Sequence, residues 1–194
     1  CFMKNKKVFV ICIVFAFCIC GIFAEDGENS KKKLGLEVGL NLNNQYAIGD
    51  FSEYAKATLG GEVFVNYVLP KKIVKIENLG VNAVFGIAKV FPNGNYVEKF
   101  SQNYFSFGAF YLINLPKHFQ LKPQLNLGMI NHKVVGGYEM KNNYSDFMIS
   151  ASCDLRYLWK YNLIFNVSPV YTFVPVKDGT INYFGVKFGA SYRF

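Results

Sequence analysis

Seven charged side chains carry whatever chemistry this sequence holds: Glu37, Glu62, Lys122, Asp154, Arg156, Lys187 and Arg193. Each lies on the polar side of a segment in which every second residue is apolar, so a strand would turn all of them to one face. If those faces meet, four cations and three anions share one interior. Charges held away from water persist only when paired and hydrogen-bonded. Two readings follow: an ion network that plugs the interior, and a gate that rearranges to pass ions or small solutes. Catalysis fits less well. A hydrolytic site needs a base beside a nucleophile, yet the two histidines, His118 and His132, fall between segments, and His132 is followed by Lys133-Val134 with no serine near it. The chain is expected not to be an enzyme. Cys1, Cys12, Cys18 and Cys20 belong to the leading segment and Cys153 stands alone in the rest. No internal disulfide, cysteine metal site or cofactor is therefore expected.

The elements that would position these charges begin after an export segment. Met3 to Lys7 is short and basic, Val8 to Ala24 is apolar, and Glu25, Asp26 and Glu28 follow at once. That order describes a signal peptide over residues 1–24, cleaved after Ala24. The run is shorter than the roughly 20 apolar residues of a spanning helix. Residues 25–194 then form one domain, built from eight segments of strict period-two alternation. Leu36, Val38, Leu40 and Leu42 alternate with Glu37, Gly39 and Asn41; Leu125, Leu127 and Met129 alternate with Gln124, Asn126 and Gly128; Phe184, Val186 and Phe188 alternate with Gly185 and Lys187. A strand crossing a bilayer needs about 9–11 residues, and an even strand number suits a closed bacterial barrel. The fold class is all-β: an eight-stranded antiparallel up-and-down transmembrane β-barrel, expected to be a monomer.

Alternation alone would also suit a soluble lipocalin-like carrier with its apolar face inside. Two features favour the inverted arrangement. The polar face is mostly Gly, Ser, Asn, Gln and Thr, whereas a solvated exterior carries many Lys and Glu. Aromatic residues also gather at both ends of the apolar face: Tyr67, Tyr111, Phe119, Tyr157 and Tyr161 near one rim, Phe105, Phe147, Phe173 and Phe184 near the other. Such rings prefer the two membrane–water interfaces. Connections after the first, third, fifth and seventh segments read as long outer loops (43–53, 90–103, 131–143 and 174–182) and the others as short turns. That asymmetry puts both termini in the periplasm. The turn around Lys71–Asn78 is longer than the pattern asks. Small residues above the charges, among them Gly39, Asn41, Thr58, Gly60, Ser106, Gly108 and Gly128, predict a shallow cup open to the outside. Pro123 and Pro169 fall mid-strand and predict a bulge or kink at each. Tyr46, Phe51, Tyr96, Phe100 and Tyr138 in the loops are candidates for contact with a host ligand or for loop packing. The net charge of +8 is traced to lysines of the periplasmic rim, Lys71, Lys72, Lys75, Lys117 and Lys160 among them. Their expected partner is the anionic headgroups of the inner leaflet rather than nucleic acid.

The last segment resembles the assembly signal of bacterial outer-membrane barrels. Lys187, Gly189, Tyr192 and a terminal Phe194 match its polar, glycine and spaced aromatic positions, and the Tyr-Arg-Phe ending is similar to that of the small OmpX- and OmpW-type proteins. The resemblance in residues covers that segment only; in layout it covers the whole of 25–194. It implies the barrel-assembly machinery as folding partner. It also implies passage or binding of a small hydrophobic solute, or envelope maintenance, with lateral release at the ladder weakened by Pro123 or Pro169. A surface-exposed adhesin on the same scaffold is the alternative.

Overall fold

The computed structural model describes residues 35–93, 97–136, 141–177 and 179–194. The expected signal peptide, the lysines before Leu34, Tyr96 and Tyr138 lie outside them. Eight antiparallel strands account for nearly all of the rest: β1 (Leu36–Ile48), β2 (Ala55–Val68), β3 (Leu79–Pro92), β4 (Val97–Tyr111), β5 (Phe119–Gly136), β6 (Lys141–Leu158), β7 (Leu163–Val176) and β8 (Gly179–Arg193). Ile113–Asn114 extends β4 past a break at Leu112 and still pairs with β5. Each strand pairs with its neighbours in sequence, and β1 pairs with β8, so the sheet has no free edge. Closure is what lets a sheet lie in hydrocarbon, where unpaired backbone groups would each cost several kcal/mol, or about that.

The register fixes the dimensions. A path followed from strand to strand leaves β3 at Phe91, passes Ala57, Tyr46, Phe184, Tyr171, Ala151, Leu125 and Ala109, and returns to β3 at Val81, ten residues away. With a rise of about 3.3 Å per residue and about 4.8 Å between strands, this stagger tilts the strands by about 40°. At that tilt the outward apolar run of β5, Phe119 to Met129, is about 25 Å tall, the height of a barrel's apolar band.

The alternation places side chains as the sequence predicts. Leu40, Leu42, Leu59, Phe107, Leu125, Leu127 and Phe188 look outward and are about half exposed or more, while Glu37, Asn43, Glu62, Asn66, Asn126 and Lys187 are buried inside. Two tight turns are closed by side-chain-bearing pairs with positive φ, Lys117-His118 (57° and 67°) and Tyr161-Asn162 (both 60°). That geometry matches the right-handed twist of a hairpin but is usually left to Asn-Gly.

Several expectations are corrected. The four segments read as long outer loops are largely strand: β1 runs on to Ile48, β5 to Gly136, and β6 starts at Lys141. Beyond the bilayer the outward residues turn polar (Asn131, Lys133), so alternating hydropathy fades although the ladder continues. A bulge between Ala55 and Ala57 turns Ala55 inward and leaves Lys56 exposed. Tyr161 lies in the turn before β7, almost wholly exposed, not in the strand. Neither proline makes a bulge. Pro123 keeps its register with Cys153, and around Pro169 the β6–β7 ladder lapses between Ser152↔Val170 and Leu155↔Val167 without a shift.

Candidate functional site

The lumen is where the described residues gather buried, paired charge. All seven predicted side chains meet there, in three groups. At the end that holds Arg193, Glu37 takes the Arg156 and Arg193 guanidiniums, the second at 3.3 Å, and accepts from Ser191 Oγ at 2.9 Å and Asn66 Nδ2 at 3.1 Å. Gln120 Oε1 accepts from both arginines at 3.4 Å. Nearer the middle, Lys187 Nζ donates to both Glu62 oxygens at 2.9 and 3.0 Å. The Glu62 carboxylate also accepts from Tyr104 Oη and Asn41 Nδ2, each at 2.7 Å. Asn43 Nδ2 donates in turn to Tyr104 Oη at 3.1 Å. Lys122 pairs with Asp154 at 2.8 Å, its ammonium 5.3 Å from the centroids of both Phe64 and Phe110. Every carboxylate thus holds at least one cation, as buried charge requires.

Above these groups the predicted cup is absent. Phe64, Val84, Tyr104, Ile130, Met148 and Val174 form one buried apolar cluster, and Ala47, Ala55, Val90, Phe100 and Tyr183 form another nearer the mouth. A short 3-10 turn, Gly49–Glu53, lays Phe51 over that mouth, its ring 5.7 Å from Tyr183 and 6.4 Å from Phe100, edge to face with both. The lumen glycines do not leave space: aromatic rings from the next strand lie over Gly39, Gly80 and Gly86, and backbone and small side chains crowd Gly60, Gly108 and Gly128. A Cβ at Gly39 would stand 2.4 Å from the Phe64 ring, at Gly80 2.2 Å from Phe110, and at Gly86 2.2 Å from Tyr104. Each of these pairs is directly opposed across the ladder. The free volume between the charge groups and the apolar clusters is about 10 Å³, lined by Gln45, Ser106, Asn126, Ser150 and Thr172 among others. That is room for one water at most.

Sequence reasoning missed Phe64 and Tyr104. Both lie at inward parity, Phe64 two residues after Glu62 and Tyr104 two before Ser106, so extending the alternation would have found them. Phe51 and Phe100, candidates for host-ligand contact or for loop packing, belong to the inner packing. His132 is likewise inside, beyond Met129 and so above the apolar band. It is 3% exposed, neither ring nitrogen has a hydrogen-bond partner among the described residues, and the Phe100 ring lies 5.7 Å away. Burial pushes its pKa down, with Asp146 opposing.

The predicted rim aromatics face outward. At the end with the tight turns, Phe119 stacks near Tyr157 (5.2 Å), Tyr157 near Trp159 (5.7 Å), and Tyr192 near Phe194 (5.0 Å). Tyr67 is half-buried and Tyr111 exposed in the same rim. Trp159, read as a plain turn residue, joins this belt. Toward the other end Phe105, Phe147 and Phe184 are exposed and Phe173 half-buried. Of the residues resembling the assembly signal, Tyr192 and Phe194 face outward, Lys187 is in the ion network, and Gly189 leaves room for Asn41. The Phe194 N–H donates to Leu36 O at 2.9 Å, tying the last residue into the closing seam.

A closed eight-stranded sheet, apolar outside and polar within, defines a small transmembrane β-barrel. Solved structures of bacterial outer-membrane barrels share this fold. The chain is similar to Neisserial surface protein A (TM-score 0.63, 10% identity, 82% of this chain and 97% of that one), to the attachment invasion locus protein Ail of Yersinia pestis (0.56, 15%, 84% and 99%) and to OprG of Pseudomonas aeruginosa (0.53, 11%, 84% and 97%). No family model and no curated protein matches the chain. The likeness is one of fold: a closed, antiparallel barrel of eight strands, of the kind solved for small outer-membrane proteins.

Proposed function

We propose that the protein works from the outer face of the membrane as a contact surface, on a barrel that does not conduct and carries no catalysis. The observation behind this reading is the pairing of a lumen packed with side chains, around a cavity of about 10 Å³, with a ladder that outruns the bilayer. From Met129 to Gly136, β5 extends about 17 Å past the apolar band at the same rise and tilt. Its outward residues and their neighbours on β3, β4 and β6 form cross-strand rows: Lys89, Ser101, Lys133 and Asn143 in one, Asn103, Asn131 and Ser145 in the next. Hydroxyls, amides and two lysines on a stiff sheet suit a polar partner, where mobile loops would bind at a larger entropic cost. Two similar barrels bear names of the same sense, one a surface protein and one an attachment and invasion protein. Passage of a hydrophobic solute, which the small lumen residues suggested, loses its support where aromatic rings cover the glycines. The reading puts both termini in the periplasm, gives residues 1–24 to export, and assigns Lys187, Gly189, Tyr192 and Phe194 to the assembly machinery.

The test has two arms. Refolded protein in planar bilayers is expected to show no unitary conductance. Cells carrying a variant in which Asn131 and Ser145 are rejoined by an Asn-Gly turn are expected to keep the heat-modifiable barrel and to lose adherence to epithelial monolayers. Regular current steps from the wild type, or undiminished adherence of the shortened variant beside a barrel-null strain that does not adhere, would overturn the reading.

A further inference from the structure

Two residues suffice to join adjacent strands, yet β2 and β3 are joined by the ten residues 69–78. The segment is folded rather than slack. The Ile73 and Val74 N–H groups both donate to Pro70 O, at 2.9 and 3.3 Å, making one tight turn. Lys71 pairs with Glu77 across its base, and Asn78, with φ 63°, returns the chain to β3. The product of this folding is an unusual surface. Ile73 is 67% and Ile76 55% exposed, and Lys71, Lys72 and Lys75 are exposed between and beside them. Isolated exposed isoleucines mean little, but these two stand together among three exposed lysines in the connection next to the apolar band.

The other two turns at this end repeat the composition in smaller form: Leu115 beside Lys117, and Trp159 and Tyr161 around Lys160, all exposed. Among the described residues of these three turns, five exposed lysines stand against one exposed side-chain carboxylate, Glu77, which Lys71 already holds. Apolar side chains interleaved with cations at the edge of a hydrocarbon band match a leaflet whose acyl boundary is greasy and whose headgroups are negative.

We propose that the 69–78 connection is a binding site for anionic phospholipid headgroups. Ile73 and Ile76 enter the acyl boundary, and Lys72 and Lys75, with the shared Lys71, contact phosphate. The cellular occupant rests on the reading that this end faces the periplasmic, phospholipid leaflet; the chemistry of the site does not.

The experiment uses the full barrel reconstituted in symmetric vesicles with trace spin-labelled phosphatidylglycerol or phosphatidylcholine. The motionally restricted fraction of each label is then compared. Wild type is expected to prefer phosphatidylglycerol by about threefold or more at low salt, a conservative value for several lysines at the surface. The K71Q/K72Q/K75Q variant is expected to show no preference, and I73S/I76S a reduced one. K89Q/K133Q, at the opposite end, is expected to behave as wild type. Equal restriction of the two lipids by wild type, or a preference that survives K71Q/K72Q/K75Q, would overturn the proposal. Orientation is read separately, by labelling I73C in a C153A background on intact cells with a membrane-impermeant maleimide. Protection supports the periplasmic leaflet as the occupant's source, and labelling overturns it.

Discussion

Replacing Glu62 by Gln tests the ion network at the carboxylate that holds Lys187. Glu62 is 4% exposed and is the one ion-pair partner of Lys187 among the described residues. Gln fills the same space, so no cavity opens; what is lost is the charge that balances a buried ammonium. Breaking such a pair costs about 3–5 kcal/mol, most of it the stranded partner. Against a total stability of about 5–15 kcal/mol, that is a large share. The mechanism makes a second, sharper demand. Adding Lys187→Met removes the stranded charge, so E62Q/K187M should recover at least about 2 kcal/mol of the loss, because an apolar isostere replaces a buried pair at little cost. Tyr104→Phe, which deletes the 2.7 Å hydrogen bond to the carboxylate and the 3.1 Å one from Asn43, should cost about 1.5–3 kcal/mol. Urea unfolding from vesicles can be followed through Trp159, the single tryptophan, with gel mobility of the unheated protein as a check on closure. An E62Q midpoint indistinguishable from wild type at equal m, or a double variant no more stable than E62Q, would refute the claim that charge balance holds this level of the lumen.

Three further outcomes are expected. Gly86→Ala drives a methyl into the Tyr104 ring, 2.2 Å from the Cβ position; a loss of about 1–3 kcal/mol in the same urea assay is expected, relieved by Tyr104→Ala in the double variant. Burial holds the His132 pKa below its ordinary value, so the folded state favours the neutral ring; its stabilising share is full above an unfolded-state pKa of about 6.5 and is lost as pH falls through and below that value. His132→Gln should therefore flatten the fall in stability between pH 7 and 5, whatever it does to the absolute level. Exchanging Lys117-His118 for Asn-Gly relieves two left-handed non-glycine residues and should stabilise the barrel by about 1–2 kcal/mol, seen as a raised temperature of gel-mobility change.

Much of the fold was legible because lipid imposes a rule that sequence cannot evade. Outward side chains within the band must be apolar, so Leu40 and Leu42 around Asn41, or Leu125 and Leu127 around Asn126, announce strand and face together. The rule lapses where the bilayer ends. Ser101, Lys133 and Asn143 are polar on a face that water now touches, and nothing in hydropathy separates such a strand from a loop; hence the outer strand ends were read as loops. The charge cluster was legible by parity, since Glu37, Glu62, Lys187 and Arg193 share the inward side of their strands. The filling of the lumen was not. Whether Gly39 is a gap or a seat for Phe64 depends on which residues stand opposite, and that register exists only once the barrel is closed. The prolines misled for a related reason: each lacks only its own donor, and the neighbouring pairs keep the register that an isolated strand would lose.

The filled mouth and the extended strands are one feature. Strands that leave the bilayer meet water, which competes for every ladder hydrogen bond, so outside the membrane their order depends on inward packing. Ala47, Ala55, Val90, Phe100 and Tyr183, closed over by Phe51, provide that packing at the level where lipid no longer confines the sheet. An eight-stranded barrel has an interior only as wide as its side chains. Any opening at this level would have to remove those rings, and with them the support of the sheet above. In a barrel this narrow, a passage and a stiff outer surface therefore compete for the same volume, and the rings at the mouth are the support that the proposed contact surface calls for.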